Sequence, residues 1–250
     1  MNKTILTAEN ISKQFTDKVG YKIHLLENIS LSLMQNEFLT ILAPKGSGKT
    51  SLLKILAGLE KQSSGKIFTQ ENNIPFIPSL PSSFPWLNVF DNICFNSNLK
   101  KDEIDKIINL VGLAGYEDHF PHNKSEGFRF RISLGRALAV DPKLIVIDEP
   151  FNNLKDKTRE EIYILLRKVY NETKISIVFG TTNITKAIFL SDNIHLMKKN
   201  PGEIIECVKV NFPAERNLDV IEKNEFKLLR NNIEETFKTN LTNKFYNFSV

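Results

Sequence analysis

The stretch Phe38-Leu-Thr-Ile-Leu-Ala-Pro-Lys-Gly-Ser-Gly-Lys-Thr50 decides the fold of this chain. Its first five residues are a short, β-rich apolar run, which is typical of a strand buried on both faces of a sheet. A glycine-containing loop follows, and Ser51-Leu-Leu-Lys-Ile-Leu-Ala-Gly58 is a good helix-forming sequence. The order strand, glycine loop and helix is the context in which such a loop binds phosphate.

The composition of this loop suits an anionic ligand. Glycines let successive backbone N–H groups converge on phosphate oxygens, and the positive end of the following helix points to the same place. Lys49 is placed to bridge two phosphates, and the hydroxyl of Thr50 to ligate Mg²⁺. The pattern usually starts with glycine, but Ala43 stands there instead. The predicted nucleotide-binding residues of the loop are Lys45, Gly46, Ser47, Gly48, Lys49, Thr50 and Ser51.

A second motif, Leu144-Ile-Val-Ile-Asp148-Glu149-Pro150, is a hydrophobic strand that ends in two carboxylates. Asp148 is predicted to hold Mg²⁺ directly or through water, and Glu149 to polarise the attacking water as the catalytic residue. The alternative is a buried strand followed by a solvated acidic turn. The presence of the upstream loop favours a site that binds Mg-ATP.

The composition is that of a soluble globular protein, with 41% hydrophobic and 25% charged residues. A net charge of +4 without a Lys/Arg run predicts a mixed surface and no nucleic-acid partner. Cys94 and Cys207 have no metal-ligand spacing, so buried free thiols in a reducing compartment are expected. No signal peptide and no apolar run of about 18 residues is found, which predicts a cytoplasmic protein that reaches a membrane only through a partner.

The hydrophobic periodicity predicts an α/β fold. Alternating positions indicate N-terminal strands at residues 4–11, 22–27 and 30–34. Apolar runs indicate further strands at residues 143–148, 175–179 and 194–197, with helical patterns at 162–169 and 186–190. Strands that alternate with helices predict a mainly parallel sheet covered on both faces.

The middle third interrupts this alternation. Four prolines between residues 75 and 85 prevent long regular elements, whereas Ile104, Ile107, Ile108 and Val111 share one face of a helix. A second helix is predicted over 125–140. The chain therefore divides into an α/β core at residues 1–79 and 139–210, a helical subdomain at 80–138, and a C-terminal extension at 211–250 whose role is not readable.

The ordered succession of segments resembles the ATP-binding subunits of ABC transporters, closest to importers of the nitrate, sulfonate and taurine group. The segments are residues 37–58, Phe84-Pro-Trp-Leu-Asn-Val-Phe-Asp-Asn-Ile93, Val111-Gly-Leu-Ala-Gly115, Pro121-His122, and Arg136-Ala-Leu-Ala-Val-Asp-Pro-Lys143 through Phe151. The resemblance covers roughly residues 5–210. It implies a P-loop NTPase core, an N-terminal antiparallel β part and an inserted helical subdomain. It also implies a head-to-tail dimer, with each ATP between one subunit's P-loop and the other's signature segment.

Two aromatic positions follow from this resemblance. Phe15 corresponds to the aromatic residue that stacks on adenine near the end of the first strand, and a core phenylalanine is the alternative. Phe84, Pro85 and Trp86 lie where relatives form the groove for the coupling helix of a membrane permease, and an ordinary packing cluster is the alternative. A solute-binding protein belongs to such importer complexes as well.

Several family positions are replaced in this chain. The signature Leu-Ser-Gly-Gly-Gln falls on Lys124-Ser125-Glu126-Gly127-Phe128, which presents the carboxylate of Glu126 to the partner's γ-phosphate. Like charges about 5 Å apart repel by about 3 kcal/mol at an effective dielectric constant near 20, and Lys124 offsets part of this. The family's Q-loop Gln, D-loop Asp and switch His fall on Ser79, Lys155 and Thr182. His195 lies too far along to replace the switch His and is expected to be a strand residue.

These replacements leave two functional hypotheses. The first is an ATPase subunit on the inner face of the cell membrane that drives import of a small solute, paired with a second, intact ATP-binding subunit. The second is a regulatory nucleotide-binding subunit that hardly hydrolyses ATP. A soluble ABC protein of translation or repair is a weaker hypothesis, because those proteins usually carry two fused cassettes.

Overall fold

The computed structural model describes residues 3–16, 19–80, 82–149, 154 and 156–242. Its strands are β1 (Thr4–Thr16), β2 (Lys22–Met34), β3 (Phe38–Leu42), β4 (Ser64–Thr69), β5 (Phe76–Ile77), β6 (Leu144–Asp148), β7 (Ser176–Thr181), β8 (Asn193–Met197) and β9 (Ile204–Lys209). Its α-helices are α1 (Lys49–Leu56), α2 (Val89–Cys94), α3 (Lys101–Leu110), α4 (Glu126–Leu138), α5 (Asp156–Thr173), α6 (Ile184–Leu190) and α7 (Asn224–Thr242).

The N-terminal part is an antiparallel sheet in the order β2-β1-β4. The predicted strands at 22–27 and 30–34 form one strand, β2. Asn28 adopts a positive φ of 48° between them, and its N–H donates to Ser12 Oγ at 3.1 Å, so the strand continues through a local irregularity. Strand β4 was not predicted, because its residues are mostly exposed and carry little hydrophobic signal.

The larger sheet has the order β5-β6-β7-β3-β8-β9, and its strands are parallel except for β9. This confirms the predicted α/β fold with a mainly parallel sheet. All residues of β3, β6 and β7 are buried, as expected for central strands with both faces covered. Ligands of such sheets bind at the carboxyl ends of the strands, so these three strand ends locate the candidate site.

Helices α2, α3 and α4 follow one another between β5 and β6. Most of the amphipathic face predicted for α3 is buried: Ile104, Ile108 and Val111, which caps the helix, lie in one apolar cluster with Phe130 of α4, and the half-buried Ile107 packs against it. The predicted helix at 125–140 is α4, which begins one residue later because the side chain of Ser125 caps it.

The C-terminal extension contains helices that its weak hydrophobic periodicity did not predict. A 3₁₀ helix (Leu218–Glu222) and α7 follow β9, and Phe226 and Ile233 are buried in the same cluster as α6. The guanidinium of Arg216 donates to the carbonyl oxygens of Ile188, Phe189 and Ser191 at 2.8–2.9 Å. Arg216 thereby binds the last carbonyls of α6, where a cation is favourable.

Cys94 and Cys207 are free thiols, as predicted, but the expected burial is wrong: Cys94 is half-buried and Cys207 is exposed. Within the described parts of the chain, no helix combines the length and the apolar character needed to cross a lipid bilayer.

Candidate functional site

The glycine loop leads from the buried end of β3 into α1. Gly48 caps α1 with a φ of +86°, and a Cβ atom there would lie 2.7 Å from Leu26 Cδ2. Both the backbone conformation and the lack of space therefore require glycine at this position. The N–H of Ala43 donates to Thr181 O at 3.1 Å, which fixes the start of the loop against β7. Alanine thus occupies the position of the usual first glycine in a buried, hydrogen-bonded place.

The structure brings Lys49, Thr50 and Asp148 together. Lys49 Nζ lies 3.0 Å from Asp148 Oδ1, and Thr50 Oγ1 donates to Asp148 Oδ2 at 2.7 Å. In the sheet, β7 lies between β3 and β6, with its Gly180 beside Asp148 and its Thr181 beside Leu42. The strand ends are therefore level, and the loop after β3 faces the carboxylate at the end of β6.

Gly180 makes the approach of Lys49 possible, and the sequence analysis missed it. A Cβ atom at Gly180 would lie 2.4 Å from Leu53 Cδ1 and 3.2 Å from Lys49 Cδ. The absence of a side chain there leaves room for the lysine to extend across the end of β7 to Asp148. A glycine near the end of a fully buried strand was the available signal.

A cleft with a volume of about 640 Å³ opens above these strand ends. Ser79 and Thr182 line it, so both residues predicted to replace the family's Gln and switch His lie beside the glycine loop. Ser47 Oγ is buried in this loop without a hydrogen-bond partner among the described residues. The remaining lining residues are Leu25, Pro44, Lys45, Gly46, Gly48, Lys49, Thr50, Ser51, Asp148 and Glu149.

The donor set fits Mg²⁺. The hydroxyl of Thr50 and the carboxylate of Asp148 are oxygen ligands, which Mg²⁺ prefers, and it commonly takes one or two protein ligands plus phosphate oxygens. Asp148 is 3% exposed, and its two oxygens already point to the loop through Lys49 and Thr50. In such sites the metal neutralises charge on the phosphates during transfer.

Glu149 lies beside the same cleft but is held by donors from β7 and α6. Its Oε2 accepts from Thr181 Oγ1 at 2.6 Å and from the Thr182 N–H at 3.2 Å. Its Oε1 accepts from Lys186 Nζ in an ion pair in which both side chains are buried. Lys186 was not predicted as a site residue, because nothing in its local sequence indicates that its ammonium contacts a carboxylate 37 residues away.

The segment predicted to replace the family's signature, residues 124–128, forms the start of α4. Ser125 Oγ accepts from the Phe128 N–H at 3.2 Å, and Glu126 is the first helical residue. Gly127 is buried against α5, where a Cβ atom would lie 3.0 Å from Thr158 Cγ2. The ammonium of Lys124 lies 5.5 Å from the centre of the Phe128 ring. The segment thus presents the N-terminal turn of a helix with an acidic residue in it.

Three further predicted positions have different outcomes in the structure. Phe15 is 43% exposed in β1, so it is not the core residue of the alternative hypothesis, and Lys13 Nζ lies 5.1 Å from its ring centre. His195 lies in β8 and is a buried strand residue, as expected; burial lowers its pKa to about 4. Lys155, at the D-loop position, lies outside the described residues.

The segment of Phe84, Pro85 and Trp86 lies on the surface of the helical part. Trp86 is 70% exposed, and its ring contacts that of Phe84 with centroids 5.5 Å apart. Asn92 is fully buried and fixes the segment by donating to Phe84 O at 3.0 Å and Leu87 O at 2.9 Å. An exposed tryptophan on a fixed loop is typical of a docking surface and atypical of a core packing cluster.

The fold and the site together define a P-loop nucleoside-triphosphatase. A glycine loop joins a central strand to a helix, and its lysine and threonine bind an aspartate at the end of another strand of the same sheet. The family model described as ABC transporter matches residues 26–152, and the chain belongs to this family.

The curated relatives agree with this assignment. The chain is 33% identical over 244 residues to the aliphatic sulfonates import ATP-binding protein SsuB of Bacillus thuringiensis subsp. konkukian, which covers 93% of this chain and 96% of the relative. It is 36% identical over 205 residues to the taurine import ATP-binding protein TauB of Yersinia pestis bv. Antiqua, covering 75% and 79%. The fold is similar to that of an ATP-binding cassette solved as a dimer bound to ADP and Pi, with a TM-score of 0.71, 24% identity and coverage of 84% and 100%.

Proposed function

We propose that this chain is the ATP-binding subunit of an importer for a small solute of the nitrate, sulfonate or taurine type. It binds Mg-ATP and couples its hydrolysis to transport. The observation that carries this proposal is the convergence of Lys49, Thr50 and Asp148 at one cleft. The names of the sulfonate and taurine import relatives support the solute class.

Each site residue has a role that its position supports. Lys49 neutralises the β- and γ-phosphates, the backbone N–H groups of residues 45–51 surround them, and Thr50 and Asp148 hold Mg²⁺. Glu149 faces the same cleft and polarises the attacking water. Phe15, which is exposed on β1, stacks on the adenine ring.

The replacements favour an asymmetric pair with a second, intact ATP-binding subunit. The residues that contact nucleotide from this chain's own side are kept, whereas the signature at Ser125, Glu126 and Gly127 would face the partner's nucleotide. A membrane permease holds the pair at the inner face of the cell membrane, and a solute-binding protein completes the complex.

A regulatory subunit that hardly hydrolyses ATP is the second candidate function. Thr182 in place of the switch His and the engagement of both Glu149 oxygens by protein donors favour it. The retained Glu149 and its position at the cleft favour the ATPase.

Binding of Mg-ATP to the purified chain tests the proposed function directly. Calorimetric titration of the purified chain with Mg-ATP should give heat with one site per chain, and the absence of heat would contradict the proposed function. The asymmetric pairing predicts slow hydrolysis by the chain alone, so rapid turnover by a pure homodimer would refute that part.

Glu149→Gln distinguishes the two candidate functions. If this site drives transport, the substitution should lower transport by the assembled complex about a hundredfold, because it removes a residue that polarises water. ATP binding should stay within a few fold of the original. Solute uptake into vesicles that contain the complex measures the effect. Unchanged uptake would select the regulatory subunit.

Trp86→Ala tests the permease-docking surface. The exposed ring on its fixed loop should contribute about 2 kcal/mol to assembly, so the substitution should weaken binding to the permease about thirtyfold. ATP affinity should not change. Co-purification with the permease measures the loss, and Phe68→Ala, an exposed aromatic on β4, is the matched control. Equal loss of assembly and ATP binding would indicate core packing instead.

A further inference from the structure

Glu149 links the nucleotide cleft to a buried lysine. The carboxylate lines the cleft together with Asp148 and Thr182. Its ion-pair partner Lys186 does not line that cleft but a separate, smaller cavity of about 240 Å³, which Tyr163 also lines. Lys186 therefore contacts the Glu149 carboxylate without itself lining the nucleotide cleft.

Both oxygens of Glu149 are engaged. Oε1 accepts from the ammonium of Lys186, and Oε2 accepts from the Thr181 hydroxyl and the Thr182 N–H. A carboxylate has about four lone-pair sites, so these three donors leave little capacity for a water in the cleft. Its negative charge is also balanced by a cation in direct contact. Both effects weaken the pull that Glu149 exerts on a water molecule.

The surrounding structure fixes Lys186 in place. Its N–H donates to the capping Asn183 Oδ1 at 3.0 Å, and its ammonium lies 5.5 Å from the centre of the Tyr163 ring. Arg216 binds the carbonyls at the other end of α6. Lys186 is 6% exposed and Glu149 is 4% exposed, and a buried charge is strongly stabilised by its partner. The ion pair is thus buried and is held in place by the surrounding residues.

We propose that Lys186 is a positioning residue that restrains Glu149. This proposal rests on the function proposed above. The ammonium holds the carboxylate on the α6 side of β6 and slows hydrolysis at this chain's own P-loop. In the restrained step, the water oxygen bonds to the γ-phosphorus and the bond from phosphorus to the bridging oxygen breaks. ADP leaves with that electron pair, and the water proton passes toward Glu149.

Lys186→Met tests the restraint. Methionine keeps most of the length of the side chain but removes the ammonium, so Oε1 is left to accept hydrogen bonds from water in the adjoining cleft. A hydrogen bond to a charged group contributes about 1.5–3 kcal/mol, so kcat of the purified chain should rise roughly ten- to a hundredfold, with KM for ATP unchanged. Lys186→Arg keeps the cation and should retain the low kcat.

Lys168→Met is the matched control, because it removes an exposed lysine from α5 and should leave kcat unchanged. An unchanged or lower kcat in Lys186→Met would overturn the proposal. A rise in Lys186→Met that also appears in Lys186→Arg would overturn it too, since the cation would then not be the cause.

A second measurement does not depend on nucleotide. Lys186→Met should lower Tm, because Glu149 loses its buried partner, and the double variant Lys186→Met/Glu149→Gln should recover most of that loss. If the losses in Tm of the two single variants simply add in the double variant, Lys186 and Glu149 are not energetically coupled and the proposal is wrong. If Lys186 and Glu149 are coupled in Tm but titration with Mg-ATP gives no heat, the proposed function is contradicted and the ion pair is not. Failure of the Lys186 proposal and failure of the proposed function are therefore distinguishable.

Discussion

Lys49→Met should weaken Mg-ATP binding about a hundredfold. The ammonium lies at the start of α1, 3.0 Å from the carboxylate of Asp148, and no other described side-chain ammonium or guanidinium lies this close to that carboxylate. Loss of a charge-assisted contact to phosphate costs about 3 kcal/mol, which corresponds to about two orders of magnitude in Kd. Calorimetric titration with Mg-ATP measures the change. Methionine keeps the apolar stem that packs beside Gly180.

The same substitution should also destabilise the nucleotide-free protein. The side chain of Asp148 is 4% exposed, and without Lys49 it keeps the Thr50 hydroxyl as a hydrogen-bond donor. We expect a loss of about 2 kcal/mol in the free energy of unfolding, because a buried carboxylate loses its cation beside a cleft that water can enter.

Lys54→Met, one turn further along α1, is the control and should change neither quantity by much. Equal losses of ATP affinity in the two lysine variants would contradict the assignment of Lys49 as the phosphate-binding residue. A loss of affinity with no change in stability would instead show that Asp148 does not depend on Lys49 in the nucleotide-free state.

Glu126→Gly should raise ATP-dependent dimerisation of the chain about a hundredfold for each of the two nucleotide sites of a homodimer. In the proposed dimer the first turn of α4 faces the γ-phosphate bound by the other subunit, and the Glu126 carboxylate opposes it. Removal of a repulsion of about 3 kcal/mol at about 5 Å gives this factor. Analytical ultracentrifugation with Mg-ATP measures it, in the Glu149→Gln background so that bound ATP persists.

The effect on the isolated chain should have the opposite sign. Glu126 is an acidic residue in the first turn of α4, where it stabilises the helix by about 0.5 kcal/mol, and glycine also costs helix stability. The matched control is Asp102→Gly, which removes one of the two first-turn acids of α3. It should reduce stability similarly without promoting dimerisation. If both variants dimerise equally, the signature interpretation is wrong.

Short-range sequence patterns predicted most of the central sheet. The apolar runs of β3, β6 and β7 are fully buried strands, and the order of these strands with their helices indicated a parallel sheet, because such strands need cover on both faces. The hydrophobic pattern was weaker in the strands and helices that lie at the surface. Strand β4 and helix α7 were missed because exposed residues dilute their periodicity.

The chemistry of the phosphate loop could be predicted from Gly48, Lys49 and Thr50, because their function depends on residue type and on local backbone conformation. The pairing of the loop with Asp148 was inferred from the presence of two motifs. The distances themselves depend on the register of β3, β7 and β6, which makes the three strand ends level.

By itself, the sequence determined the class of fold, the phosphate-binding loop and the acidic end of β6, because these depend on residues that are adjacent in the chain. Only the tertiary structure decided the environment of Glu149. Its partner Lys186 lies 37 residues away, on a helix held in place by the tail through Arg216. Whether a buried carboxylate faces water or an ammonium depends on packing between distant segments, and local pattern carries no information about that choice.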